Sequence, residues 1–273
     1  MRRLSTLPDH LILIIGAVLM CGPVLALFLT TTHGPEALRT DGMALFPGDR
    51  LVQNYSKVLT VSGGFQDDIS ALRMIWNSFL LGAGFAAAKV CLSLAAAYAL
   101  VYFRLRFAGV LFWVLLFSLM LPLESRFLAT YDVVAGLGLV NTQVGLILPL
   151  AASGIGTFFF RQYYRNIPET LLESARLDGA GPFLFFKDIL LPLSLPMAGA
   201  LFLVAFVNGW NQYLWPVMVT TDEKSYTLVR GLQFFGQTSL NGMILAVLAV
   251  IPPAGLLLLF QRKFVKGLFD GMH

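Results

Sequence analysis

Six long apolar segments constrain this chain more than any other feature of its sequence. Each is close to the roughly 20 residues that a helix needs to cross the apolar core of a bilayer, which is about 30 Å thick. Hydrophobic residues make up 57% of the chain and charged residues 12%, against about 45–50% and about 25% in soluble domains. This composition excludes a disordered chain and disfavours a soluble helical bundle. We predict transmembrane helices at 11–30, 77–101, 107–123, 139–160, 197–219 and 241–260.

The first segment has an alternative interpretation as a cleaved signal peptide, since Arg2 and Arg3 precede it. Its apolar run exceeds the roughly 7–15 residues typical of a signal peptide, and no small-residue cleavage site follows it. We therefore expect a retained span. In the sixth segment, Pro252 and Pro253 lack the N–H groups that a helix uses, so we expect a kink or a break there.

Lysine and arginine in the connections predict the orientation, because inner loops of membrane proteins carry an excess of these residues. With the N-terminus inside, the inner segments hold eleven basic and six acidic residues, and the outer segments hold seven basic and nine acidic residues. We therefore place both termini in the cytoplasm. The remaining cation, Lys89, lies inside the second segment. Basic residues separated by apolar runs do not form the patch of a nucleic-acid binder.

The inner connection at 161–196 carries the strongest local pattern. Asn166 is the predicted N-cap of a first short helix, and Gly179 is predicted to end it. Glu173 and Arg176 are three residues apart, so we expect them to form an ion pair on the surface of this helix.

A second short helix is predicted to begin at Pro182 and to be ended by Pro192. It would expose four large apolar side chains, which a loop in water displays only when they pack against something. They pack either on the spans of this chain or on a cytoplasmic partner. The four are Phe183, Phe185, Phe186 and Ile189.

The segment 173–192, ESARLDGAGPFLFFKDILLP, resembles the EAA loop of the permeases of ATP-binding-cassette (ABC) importers. Ser174 stands where the pattern usually has alanine, and both residues are small. The loop is specific for this class of transporter, and here it lies between two predicted spans on the predicted inner side. Six positions are in register with the pattern: Glu173, Ala175, Gly179, Ile189, Leu191 and Pro192.

Segments at 121–127, 209–216 and 251–268 extend the resemblance over nearly the whole chain. Among the carbohydrate-uptake importers, they are most similar to permeases for sn-glycerol-3-phosphate. The resemblance implies an all-α integral membrane protein with the type I importer fold. It implies a single transmembrane permease domain over 1–273, with six spans and a cytoplasmic pair of coupling helices at 161–196. It also implies transport of sn-glycerol-3-phosphate or glycerophosphodiesters.

The resemblance implies partners as well. A periplasmic binding protein would deliver the substrate, and a second permease subunit would complete a heterodimer. Two copies of a cytoplasmic ATPase would hold ATP and magnesium, so this chain needs no cofactor of its own. The assembly would lie in the inner (plasma) membrane of a bacterium, in contact with lipid. The residues implied in coupling to the ATPase are Glu173, Ser174, Ala175, Asp178, Gly179, Ala180, Phe186, Ile189 and Pro192.

No catalytic constellation is visible in the sequence. The phosphate-binding pattern G-x-x-x-x-G-K-[ST] is absent, so we expect a transport subunit and assign ATP hydrolysis to the partner. We expect the glycine-rich stretch GAGFAAAK, at 82–89, to be a helix-packing face. His10, His33 and His273 are too scattered to predict a metal site.

Five residues are candidates for a substrate pathway. Lys89 is an ionisable residue inside a predicted span, where a charge should face the bundle or a cavity. We favour a structural role for it over the attraction of an anionic substrate. The other four lie at the outer end of the fifth span, where amides are poor lipid-facing groups, although an interfacial aromatic belt is the alternative. They are Asn208, Asn211, Gln212 and Tyr213.

Three alternative functions stay open at this point. The first is the same machine with a neutral sugar or an oligosaccharide as its substrate. A secondary transporter or channel working alone would have no use for an EAA loop. A membrane-embedded enzyme would need an acid–base or metal constellation, and the sequence suggests none.

Overall fold

The chain is helical wherever the structure describes regular elements. In this computed structural model, the described residues are 7–40, 42–60, 69–103, 105–118, 122–235 and 239–269. The predicted all-α fold class is therefore confirmed. In chain order the helices are α1 (Leu7–Thr30), α2 (Pro35–Thr40), α3 (Leu51–Thr60), α4 (Ala71–Tyr102), α5 (Ala108–Ser118), α6 (Phe127–Gly136), α7 (Gln143–Ile147), α8 (Gly154–Arg165), α9 (Glu169–Leu177), α10 (Pro182–Leu184), α11 (Leu191–Trp210), α12 (Leu214–Val219), α13 (Leu228–Gly231) and α14 (Leu240–Phe269).

Within the described ranges, four helical stretches are long and apolar enough to cross a membrane. They contain the predicted first and second spans, most of the fifth, and the sixth. Helix α14 continues through Pro252 and Pro253, so the expected break is not found. The four stretches are Pro8–Thr30, Ala71–Tyr102, Pro182–Trp210 and Leu240–Phe260.

The other two predicted spans are less regular. In place of a straight fourth span, two helical stretches, Gln143–Leu150 and Gly154–Arg165, meet at a bend of 54°. The bend arises where Ser153 leaves the helical conformation and its Oγ accepts a hydrogen bond from the N–H of Gly156 at 3.1 Å. In the predicted third span, α5 provides 11 residues, and residues 119–121 lie outside the described part of the chain.

The chain packs as two compact units, and the first contains the described residues of Met1–Ile75 and Tyr226–Pro252. In this unit, Thr30, Thr31 and Thr32 are almost fully buried at the end of α1. The hydroxyl groups of Thr30 and Thr32 accept hydrogen bonds from the N–H groups of Ala44 and Gly48, at 2.9 and 2.6 Å. The three threonines therefore anchor the polar segment that follows α1.

The second unit contains the described residues of Trp76–Ser225 and Pro253–His273. Its core joins α4, α8 and α9 to the start of α11. Small residues allow α4 and α11 to approach closely. A Cβ on Gly209 would lie 3.1 Å from the Cα of Gly82, and a Cβ on Gly82 would lie 3.1 Å from the ring of Phe206. The predicted packing role of the glycine-rich stretch is therefore confirmed.

Asn141 joins two irregular segments of the second unit. It has a φ of +61°, in the left-handed region. Its Oδ1 accepts hydrogen bonds from the N–H groups of Thr221 and Asp222, at 2.7 and 3.0 Å. Its own N–H donates to the carbonyl of Val219 at 2.9 Å. The side chain thus satisfies two backbone donors of the segment after α12, and the N–H of Asn141 satisfies a carbonyl that the end of α12 leaves without a helical partner.

We expect Asn141→Leu to destabilise the protein by about 2–4 kcal/mol. The substitution places a branched residue at positive φ and leaves two backbone donors without their acceptor. Asn141→Gly tolerates the φ and loses only the side-chain bonds, so it should cost about half as much. Thermal unfolding in detergent measures both effects. Equal melting temperatures for the two variants would contradict the role assigned to the backbone conformation.

Candidate functional site

The segment that resembles an EAA loop follows the end of α8. Asn166 has a φ of −89° and a ψ of −7° and is the C-cap of α8, so its predicted role as the N-cap of the next helix is wrong. The N-cap of α9 is Pro168, with a φ of −58° and a ψ of +135°. The extended conformation of Pro168, rather than the side chain of Asn166, therefore separates the two helices.

Gly179 ends α9, as predicted, in the left-handed conformation with a φ of +80°. The N–H of Gly179 donates to the carbonyl of Arg176 at 3.0 Å, and the N–H of Ala180 donates to the carbonyl of Ala175 at 2.9 Å. This pair of bonds is the Schellman arrangement. A Cβ at position 179 would meet no atom within 4 Å. Glycine is therefore required by the backbone conformation and not by crowding.

Helix α9 has one packed face and one exposed face. Ala175 is 5% exposed and belongs to the core of the second unit. Glu173, Ser174 and Asp178 are exposed. Glu173 and Arg176 do not form the predicted ion pair, since Arg176 lines a cavity next to the end of α4. The exposed face therefore carries the acidic groups of Glu173 and Asp178 and the hydroxyl of Ser174, which donates to the carbonyl of Thr170 at 2.8 Å. Ala175, on the packed face, holds the helix in place.

Pro192 does not end the second short helix. Helix α10 continues as a π-helical turn, Phe185–Leu190, which leads directly into α11. The N–H of Leu191 donates to the carbonyl of Phe186, five residues earlier. Proline lacks an N–H and its ring collides with a carbonyl one turn back in an α-helix. A wider turn relieves this conflict, so the loop and the span form one continuous helical stretch.

The predicted exposure of the aromatic residues in this stretch holds only for Phe183, which is 76% exposed. Phe185 is buried, and Phe186 and Ile189 are half-buried. They pack on the helices of this chain, which is the simpler of the two alternatives stated above. Phe185 and Ile189 both adjoin the core that contains Ala175.

Four tyrosines hold this stretch, and we call Tyr98, Tyr102, Tyr163 and Tyr164 the tyrosine clamp. The hydroxyl of Tyr98 donates to the carbonyl of Pro182 at 2.7 Å, and that of Tyr163 donates to the carbonyl of Leu193 at 2.8 Å. Each such bond contributes about 0.5–1.5 kcal/mol. The clamp therefore fixes the π turn from both ends.

Ring contacts complete the clamp. The ring of Tyr98 lies 5.0 Å from that of Phe186, and the ring of Tyr102 lies 5.3 Å from that of Phe185. Tyr102 and Tyr164 meet edge to face at 6.0 Å. Sequence reasoning missed these residues. Their signals are the spacing of four between Tyr98 and Tyr102 and the adjacent pair at 163–164.

The five pathway candidates lie in two places in the second unit. Lys89 is half-buried on α4, with its Nζ 4.3 Å from the ring centroid of Phe85. Of the other four, Asn208 lies in the last turn of α11, and the remaining three lie between the end of α11 at Trp210 and the start of α12 at Leu214. The predicted fifth span, to 219, is therefore interrupted. Asn208, Asn211 and Tyr213 are exposed, and Gln212 is half-buried.

The two tryptophans beside this break do not form an interfacial aromatic belt. Trp210 and Trp215 are fully buried. The Nε1–H of Trp215 donates to the carbonyl of Leu146 at 3.2 Å, and its ring lies 5.5 Å from that of Phe127. The two indoles thus fix the ends of the break, and the polar residues between them are left on its surface. Among the described residues, no group of three or more side chains could hold a metal ion.

We expect Gly179→Ala to loosen the end of α9. Alanine at this φ costs about 1–2 kcal/mol, so the amides of residues 179 and 180 should exchange with deuterium about tenfold faster. Gly181→Ala is the matched control, since Gly181 has a φ of −71° and equally open surroundings. Hydrogen exchange followed by mass spectrometry measures both variants. Equal protection in the two would contradict the role given to Gly179.

Comparisons with known proteins agree with this architecture. Residues 89–270 match the family described as binding-protein-dependent transport system inner membrane component. The sn-glycerol-3-phosphate transport system permease proteins UgpE of Brucella melitensis and Rhizobium meliloti are each 42% identical to this chain over 277 residues, which cover 98% of both chains. UgpE of Salmonella typhi is 38% identical over 275 residues, with the same coverage.

A solved structure has the same fold. It is a crystal structure of a bacterial ABC transporter involved in the import of the acidic polysaccharide alginate. One of its chains matches with a TM-score of 0.75 and 20% identity, over 96% of each chain. The chain described here belongs to the inner membrane components of binding-protein-dependent transport systems, as a multi-pass permease subunit with a transport role rather than an enzymatic one.

Proposed function

We propose that this protein is a permease subunit of an ABC importer for sn-glycerol-3-phosphate or glycerophosphodiesters, delivered by a periplasmic binding protein. One observation carries the proposal: relatives 38–42% identical over 98% of this chain bear the name of the sn-glycerol-3-phosphate system. The same machine for a neutral sugar or oligosaccharide is the alternative.

We propose six spans within a single permease domain over 1–273. The four long helical stretches supply four spans, the bent pair at Gln143–Leu150 and Gly154–Arg165 supplies one, and α5 with its continuation supplies the last. Both termini then lie in the cytoplasm of a bacterium, and 161–196 is a cytoplasmic loop. The excess of basic residues in the inner segments supports this orientation.

The proposed assembly contains this chain, a second permease subunit, two copies of an ATPase and the binding protein. ATP and magnesium belong to the ATPase subunits. The exposed face of α9, with Glu173, Ser174 and Asp178, docks on an ATPase subunit. Closure of the ATPase then displaces α9 and biases the permease between inward-open and outward-open states.

The route of this displacement follows the contacts of the EAA loop. The hydrogen-bonded Schellman turn at Gly179 and Ala180 joins α9 to α10. The π turn, with Phe186 and Ile189, continues through Pro192 into α11. The tyrosine clamp passes the same displacement to α4 and α8. A rigid path, rather than a flexible loop, thus connects the docking face to the spans.

Lys89, Asn208, Asn211, Gln212 and Tyr213 are the proposed contribution of this chain to the substrate pathway. Lys89 forms no ion pair with a described acidic residue, which favours a transport role over the structural role expected from the sequence. Its charge would attract an anion in transit. The exposed amides beside the end of α11 supply neutral hydrogen-bonding groups.

The proposal is tested by uptake into liposomes that contain the complete importer and an excess of binding protein. Uptake of labelled sn-glycerol-3-phosphate should require ATP and all subunits. ATP-dependent uptake of a neutral sugar, with none of the phosphate ester, would favour the alternative. Uptake without the ATPase would indicate a transporter that works alone.

We expect Glu173→Ala to weaken retention of the ATPase during purification about fivefold, since a charge-assisted contact contributes about 1 kcal/mol or more. Glu169→Ala is the control, because Glu169 is an exposed acid of the same helix outside the EAA pattern. Quantitative blotting of the co-purified ATPase measures both variants. Equal retention in the two would contradict the docking face.

We expect Lys89→Met to lower uptake of sn-glycerol-3-phosphate about tenfold, equivalent to about 1.4 kcal/mol of lost attraction. Lys57→Met, at an exposed lysine of α3, is the control and should transport normally. Initial uptake rates, normalised to the amount of assembled complex, measure the effect. Normal uptake by Lys89→Met would assign this lysine a structural role only.

A further inference from the structure

Arg230 is a buried cation whose guanidinium is not fully hydrogen-bonded within the described part of the chain. It lies in α13, in the first compact unit, and only 6% of its surface is exposed. Among the described residues, no carboxylate forms an ion pair with its guanidinium. Its Nε and Nη1 atoms have no hydrogen-bond partner. A buried charge is strongly unfavourable unless a partner compensates it, and the described residues do not supply the anion that would do so.

Two aromatic rings hold the guanidinium in position. Its Cζ lies 4.3 Å from the ring centroid of Tyr226 and 5.8 Å from that of Phe234. The two rings stack with their centroids 5.2 Å apart and 7° between their planes. Cation–π contact compensates part of the charge, but ring faces do not use the N–H donors at the edge of the guanidinium.

The unused donors determine which ligand fits. Nε carries one N–H and Nη1 carries two, and neither nitrogen donates a hydrogen bond. Arginine is suited to planar or branched oxyanions, since its donors lie in a fixed fork. A phosphate monoester offers several acceptor oxygens and a negative charge in one group. A neutral sugar hydroxyl would satisfy a donor and leave the charge uncompensated.

We propose that Arg230 binds the phosphate group of the transported substrate. The proposal rests on the proposed function, which places the connection between the fifth and sixth spans on the outer side. A substrate released by the binding protein meets that side first. Because Arg230 is buried in the present conformation, the anion reaches it when the permease opens outward. It would thus select phosphate esters before they enter the pathway that contains Lys89.

The test uses the complete importer in lipid-free detergent and in liposomes. Arg230→Gln removes the charge with little change in size, and Arg230→Lys keeps the charge and loses the fork. Arg73→Gln is the control, since Arg73 is an exposed cation of the same compact unit. Two quantities are measured: retention of labelled inorganic phosphate by the detergent complex without binding protein, and uptake of labelled sn-glycerol-3-phosphate by the liposomes.

The wild-type complex and Arg73→Gln should retain phosphate, and Arg230→Gln should retain at least tenfold less, with Arg230→Lys between them. Uptake should fall in the same order while ATPase assembly stays normal. Normal retention and uptake by Arg230→Gln would overturn the proposal. So would retention that is absent from the wild-type complex in detergent, which would assign the guanidinium to a lipid headgroup or to a carboxylate of the second permease.

These outcomes separate the two proposals. If the wild-type importer takes up no glycerol phosphate, the proposed function fails, and phosphate retention still decides the role of Arg230. If the wild-type importer works and Arg230→Gln works equally well, the proposed function stands and the anion site is wrong. If Arg230→Gln fails to assemble, phosphate retention by Arg230→Lys tests the anion site instead, since this variant keeps the buried charge. Retention equal to that of the wild type would overturn the proposal.

Discussion

The interior of a bilayer offers no water to hydrogen-bond with the backbone, and most features of this structure follow from that constraint. Long helices satisfy their own backbone groups. At two interruptions of the helices, a side chain supplies the missing partner. Ser153 caps the helix after the 54° bend, and Asn141 accepts the N–H groups that follow α12. Polar side chains therefore stabilise the backbone at these two irregular points of the fold.

The segment that resembles an EAA loop follows the same constraint. The tyrosine clamp uses hydroxyl groups to bond carbonyls at Pro182 and Leu193, near the π turn and the proline that disturb the helical ladder. Its rings cover Phe185 and Phe186. The loop is thus an extension of the packed core. Helix α9 exposes only the face that does not pack against that core.

Features that depend on residues close in the chain could be predicted from the sequence. Contacts between residues far apart in the chain could not. Apolar length predicted the long helices, and the need for positive φ at a helix end predicted Gly179. The failures have a common cause. Pro192 does not stop the helix, because the π turn before it accommodates the proline ring. Phe185 is buried, because it packs against Tyr102, which lies 83 positions away in the chain. Such pairings carry no periodic signal.

The π turn also sets the angle about the axis of α11 at which α10 and α9 are placed. Its hydrogen bonds reach back five residues, so the turn holds one residue more than an α-helical turn. One residue corresponds to a rotation of about 100° about a helix axis. The number of residues between Phe185 and Leu190 therefore fixes the azimuth at which α10, and α9 beyond it, leave α11. A substitution here can keep the same geometry, whereas the insertion or loss of one residue would turn the exposed face of α9 about the axis of α11.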